Sequence, residues 1–157
     1  MGLVENWDQV MSSQGRPTLF IDDISVGLSV ERVRVVREED VAAFAAVTGD
    51  DNPVHLDEAF AAGTIFKGRV AHGMLAAGYI SALLGAELPG PGAIYLSQTL
   101  DFKRPIRIGD EVTVRATVKS IEGAAVTIST VCLVRRKPAV EGVAVVRAPR
   151  RPAETAA

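Results

Sequence analysis

A single cysteine, Cys132, leaves this 157-residue chain without the means for an internal disulfide, so a packed core must hold it together. The N-terminus has no basic segment followed by an apolar stretch and a small-residue cleavage site, and a reducing, cytoplasmic setting is the expectation. Long apolar runs are scarce as well. The longest, Gly73 to Gly85, would reach only about 20 Å as a helix at ~1.5 Å per residue, short of a hydrocarbon core of ~30 Å, so it belongs inside a folded domain. Charge of one sign is also missing: 17 Lys and Arg against 19 Asp and Glu give a net charge of −2. Spread along the chain, these charges argue against a nucleic-acid groove or an anionic membrane surface as partner. There is no internal repeat and no low-complexity tract, and the length suits one domain with a sizeable core.

Residues 1–17 show no sustained period and end in Ser12-Ser13-Gln14-Gly15-Arg16-Pro17, which reads as a tail or loosely docked arm anchored by Trp7. The folded domain is expected over residues 18–148, with 149–157 as a second tail. Leu28 to Val35 has strand character. Glu38 to Val47 reads as a helix with an acidic first turn and Gly49 just past its end, although Arg37 cannot serve as its N-cap. Asp57 to Gly63 adds one or two helical turns, with Asp57 as cap and Gly63 as stop. Met74 to Leu84 has no charged residue and no polar face, which in so short a helix implies burial on nearly every side. The wrapper lies downstream. Ala93 to Phe102, Glu111 to Ile121, Ala124 to Arg135 and Gly142 to Arg147 are rich in Val, Ile, Thr and Leu with repeated alternation. They are punctuated by Pro105, Gly109-Asp110, Glu122-Gly123 and Lys137-Pro138. A long antiparallel sheet curled around one apolar helix, an α+β arrangement, satisfies both patterns.

Chemistry concentrates in two segments, Thr48-Gly49-Asp50-Asp51-Asn52-Pro53-Val54-His55 and Ala71-His72-Gly73-Met74. Asn52-Pro53 cannot lie inside a helix, so Asp50 and His55 are expected on one short, stiff, non-helical segment, facing the same small volume. A carboxylate with an ordinary pKa near ~3.9 and an imidazole near ~6.5 can hold a water and move its protons at neutral pH. Gly73 opens the predicted central helix, where free N–H groups and the positive end of the dipole suit an oxygen that becomes negative during a reaction. Water activation combined with oxyanion stabilisation is therefore expected. Asn52 is assigned to stiffening the loop or orienting Asp50, and Asp51 to solvent. Ser81, two turns into the helix, either bonds toward Asp50 or is a small packing residue whose hydroxyl returns to a backbone carbonyl. His72 is read as fixing the helix entrance, and Cys132 as a buried, inert thiol. Asp50, His55 and His72 also have the composition of a two-histidine, one-carboxylate metal site, but no further ligand is evident and neither metal nor cofactor is expected.

These same residues, Gly49-Asp50-x-Asn52-Pro53-x-His55 followed by Ala71-His72-Gly73-Met74, resemble the MaoC-like (R)-specific enoyl-CoA hydratases of the hotdog fold. The likeness extends to Phe44-Ala45, Phe60, Leu83-Leu84-Gly85, Phe102-Lys103-x-Pro105 and Gly109-Asp110-Glu111-Val112, and covers about residues 18 to 148. It implies a single hotdog per chain, dimerisation through edge-paired sheets, and reversible addition of water to a trans-2-enoyl-CoA to give the (R)-3-hydroxyacyl-CoA. It further implies that Asp50 and His55 hold the reacting water while the Gly73 N–H binds the thioester oxygen. On this reading Lys103-Arg104 and Arg107 either meet the phosphates of coenzyme A or are solvated loop charge. The alternatives are a dehydratase for another acyl-CoA or acyl carrier protein thioester, and a non-catalytic acyl-CoA-binding subunit. The departures are the N-terminal stretch and Arg37 at the helix start.

Overall fold

Apart from one early strand, the helix-forming patterns precede the strand-forming ones along the chain, and the structure follows that order. In the computed structural model, which describes residue 15 and residues 17–152, the elements run β1 (Ser29–Val35), α1 (Glu38–Thr48), α2 (Pro53–Leu56), α3 (Glu58–Ala62) and α4 (Gly73–Ala86). They continue with β2 (Ile94–Gln98), β3 (Asp101–Phe102), β4 (Glu111–Glu122), β5 (Ala125–Val134) and β6 (Lys137–Arg147). The strands form one antiparallel sheet of order β1-β4-β5-β6-β2, with β3 also paired to β6. Wrapped around α4, this sheet makes the hotdog architecture. The expected arm around Trp7 lies outside the described residues.

Alternation places one residue in two on the helix side of the sheet. Val112, Val114, Ala116 and Val118 of β4 and Val126, Ile128 and Cys132 of β5 are buried together with Ile80, Leu83 and Leu84 of α4. Register keeps the two sets opposed, Val114 facing Cys132 and Val118 facing Ile128. Small Ala76 on α4 and Ala116 and Ala144 on the sheet let helix and strands approach. Cys132 donates its thiol to the Ala76 carbonyl at 3.7 Å, and burial pushes its pKa up to about 12, so the thiol is inert as expected.

Three local expectations are corrected. The segment from Ala93 to Phe102 is two strands rather than one, because the Thr99 carbonyl presses on Gly142 of β6, where a Cβ would sit 1.8 Å from it, and the ladder shifts register between Tyr95 and Ser97. Lys137-Pro138 is not a break: the turn is Arg135-Arg136, and Pro138 pairs with Leu133 at a register shift, a position that tolerates a missing N–H. Finally, α4 is not covered all round. The open sheet buries one side of the helix and leaves Met74, Gly78, Ser81, Ala82 and Gly85 exposed along the other in the single chain. No helix among the described residues is long and apolar enough to cross a membrane.

Candidate active site

The chain leaves α1 through Gly49, which takes the left-handed conformation (φ 77°) that ends helices, and enters the segment bearing Asp50. Asp40, at the third position of α1, accepts the Arg37 N–H at 2.9 Å and so caps the helix start in place of an Arg37 side chain that cannot. Thr48 Oγ1 accepts the Asp50 N–H at 3.2 Å, and the Asp50 carboxylate accepts the Asn52 N–H at 3.4 Å. Asn52 then caps α2 by accepting the Val54 N–H at 3.2 Å. The expectation of a wholly non-helical segment is thus corrected: Pro53 starts a single helical turn that carries His55. Proline fits there because the first N–H of a helix has no internal acceptor to lose.

A small apolar cluster of Val54, Ala61 and Val70, with Phe66 against it, seats this turn on the rest of the protein. The Val70 carbonyl meets His55 Nδ1 at 2.8 Å. A carbonyl only accepts, so Nδ1 carries the proton and the neutral ring keeps its lone pair on Nε2. From the other side, Arg69 donates its Nε–H to the His55 carbonyl at 2.7 Å while its guanidinium pairs with Glu38 at 2.7 Å. His72 is 2 % exposed and donates Nε2–H to the Asp50 carbonyl at 2.9 Å. Its ring lies between those of Phe44 (4.8 Å between centroids) and His55 (3.8 Å), so it fixes both the Asp50 backbone and the His55 plane.

Asp50, His55 and Gly73 all line one cavity of about 560 Å³, whose other walls include Phe66, Val70, Phe102, Pro105, Ile106 and Val140. Gly73 is the first residue of α4. The Leu75 N–H turns back to the His72 carbonyl at 3.1 Å, whereas the Gly73 N–H has no backbone acceptor among the described residues. The Phe102 ring rests on Gly73, so a Cβ there would come within 2.7 Å of the ring. Asn52 also lines the cavity. Ser81 does not: it is exposed on the uncovered side of α4 in the single chain. Asp51 is exposed, as expected.

Possible ligand atoms of Asp50, His55 and His72 come within 4.8 Å of one another. One nitrogen of each ring is taken by a carbonyl, which leaves His55 Nε2 and His72 Nδ1 as the second nitrogens of the two rings. Arg69 and the Val70 carbonyl escaped the reading of the sequence, since nothing local marks a contact made to backbone fourteen or fifteen residues away.

A carboxylate and an imidazole on the wall of one apolar cavity, together with a helix N-terminal N–H that has no backbone acceptor among the described residues, make a site for adding water to, or removing it from, a polarised carbonyl compound. Comparison with known proteins agrees. Over 134 residues the chain is 48 % identical to the (R)-specific enoyl-CoA hydratase of Rhodospirillum rubrum, covering 84 % of this chain and 93 % of that protein. It is 44 % identical over 135 residues to the 3-hydroxybutyryl-CoA dehydratase of Methylorubrum extorquens, covering 85 % and 86 %. The structure superposes on the unliganded R-hydratase from Pseudomonas aeruginosa with a TM-score of 0.81 at 41 % identity, covering 89 % of this chain and 95 % of that one. Residues 15–138 match the family described as MaoC like domain, and the chain belongs to that family.

Proposed function

We propose that this protein is an (R)-specific enoyl-CoA hydratase, a hydro-lyase that reversibly adds water to short and medium trans-2-enoyl-CoA thioesters. The observation that carries this reading is the convergence of Asp50, His55 and Gly73 on one apolar cavity. A water bound between the Asp50 carboxylate and His55 Nε2 gives up a proton to that nitrogen as its oxygen attacks the β-carbon. The negative charge then moves to the thioester oxygen, where the Gly73 N–H receives it, and the enolate collapses as the proton taken up by His55 Nε2 passes to the α-carbon on the same face, returning the imidazole to its neutral form. The Val70 contact supports His55 as the base, because it leaves Nε2 free to accept. General acid–base help of this kind contributes ~10²–10⁴-fold, and loss of one oxyanion donor costs about 3–4 kcal/mol. No metal or cofactor is required by these steps.

We assign the oligomer as a homodimer. Ile94, Tyr95 and Leu96 are exposed on the open edge strand β2, an apolar edge that invites pairing with a second copy. A cytoplasmic setting accords with one buried, unpaired thiol. The test is loss of crotonyl-CoA absorbance on adding the protein, with chiral analysis of the alcohol and a panel of acyl lengths. Formation of the (R)-alcohol by wild type and not by folded Asp50→Asn or His55→Ala is expected. Equal turnover by those variants, or release of free coenzyme A instead of hydration, refutes the assignment.

A further inference from the structure

The β5–β6 hairpin turns through two arginines, Arg135 and Arg136, that both take positive φ (50° and 65°). Two-residue turns of this form favour Asn-Gly, because side chains there crowd the backbone. A pair of arginines is therefore held against the local preference, and such positions cluster where they serve a site. Beside the turn is a concavity of about 310 Å³, lined by Arg104, Arg107, Arg135 and Lys137 with Asp110 as its one carboxylate. Arg136 lines an adjoining hollow with Arg135. Among the described residues none of these five cations lies within ion-pair distance of a carboxylate. Asp110 instead accepts the Arg107 backbone N–H at 2.8 Å. In a chain of net charge −2, five cations without carboxylate partners at one end of the sheet stand out. Arg104 and Pro105 line both this concavity and the cavity holding Asp50 and His55, so the two spaces lie side by side.

We propose that the Arg135-Arg136 turn, with Arg104, Arg107 and Lys137, is the subsite for the phosphates of a nucleotide-bearing acyl carrier, and so favours coenzyme A thioesters over those of a carrier protein. Both carriers present the same pantetheine arm. Only coenzyme A adds a pyrophosphate and a ribose 3′-phosphate, a compact polyanion suited to a concave ring of guanidinium groups. A carrier protein offers a broad acidic surface, which scattered exposed cations on a convex face would meet better. The placement rests on the hydratase reading, because it takes the thioester to lie at Asp50 and His55.

The test uses the double variant Arg135→Asn/Arg136→Gly, which removes two charges while giving the turn its preferred residues, so loss of fold does not mimic loss of binding. Its KM for crotonyl-CoA is expected to rise about tenfold with kcat retained, the size of one lost charge-assisted contact. Crotonyl-pantetheine, which lacks the nucleotide, should be turned over as by wild type. Calorimetric binding of adenosine 3′,5′-bisphosphate should weaken in parallel. An unchanged KM for crotonyl-CoA, an equal loss on crotonyl-pantetheine, a greater loss on a crotonyl carrier protein, or no bisphosphate binding by wild type overturns the subsite. Bisphosphate binding that depends on Arg135 and Arg136 in a protein that hydrates no thioester would leave the subsite standing and remove the hydratase reading.

Discussion

Replacing Arg69 should separate what holds His55 in place from what merely decorates the surface. Its Nε–H bond to the His55 carbonyl, at 2.7 Å, comes from a side chain only 17 % exposed. A charge-assisted hydrogen bond of this sort contributes about 1.5–3 kcal/mol. The ion pair to Glu38 reaches a side chain that is 61 % exposed and adds about 0–1 kcal/mol. Arg69→Gln is therefore expected to cost about 2–3 kcal/mol and lower Tm by roughly 5–10 °C for a domain of this size. Freed of that tether, the α2 turn drifts, and kcat for crotonyl-CoA should fall about 10–100-fold with little change in KM. Arg69→Lys keeps the charge facing Glu38 but lacks a planar Nε–H aimed at the carbonyl, so it should rescue little. Glu38→Gln should cost under about 1 kcal/mol. Thermal melting and steady-state kinetics on the three variants decide the matter. If Glu38→Gln costs as much as Arg69→Gln, or if Arg69→Gln loses stability with kcat intact, the positioning argument is wrong.

The Gly142→Ala variant should lose about 3 kcal/mol or more in urea unfolding, since its Cβ would lie 1.8 Å from the Thr99 backbone carbonyl and only a backbone shift relieves it; a loss below ~1 kcal/mol would contradict this geometry. Gly73→Ala should displace the Phe102 ring and reduce kcat/KM, and adding Phe102→Ala should restore part of the loss; no recovery in the double variant would mean the ring is not the obstacle. Burial raises Cys132 to about 12, so above its ordinary value the unfolded chain loses a proton that the folded chain keeps. The sign is that stability falls with rising pH between about 9 and 12, where the unfolded state binds fewer protons. Cys132→Ala should flatten the decline in urea midpoint over that window, and an unchanged slope would count against a buried neutral thiol.

The sequence was most legible where a pattern answered a single physical demand. An apolar helix needs a wrapper, alternation needs a sheet, and Gly49 and Asp57 mark helix ends by their own chemistry, so β1, α1, α3, α4 and the sheet matched expectation. Asp50, His55 and Gly73 stood out because their residue types suit proton transfer and anion binding, and the structure places them on one cavity. Failures came where partners distant in sequence decide. Pro53 reads as a helix breaker until Asn52 is seen to cap the turn it begins. Lys137-Pro138 reads as a break until the register with β5 moves the turn to Arg135-Arg136. The tether from Arg69 to the His55 carbonyl carries no sequence signature, because its acceptor is backbone.

A double-mutant cycle on crotonyl-CoA hydration tests the central claim most directly. If one water is shared by Asp50 and His55, Asp50→Asn and His55→Gln should each remove nearly all of kcat/KM, and the double variant should be little worse than either, because the second substitution has nothing left to disable. Losses that simply multiply would mean that the two side chains act separately, and the shared-water account would be wrong.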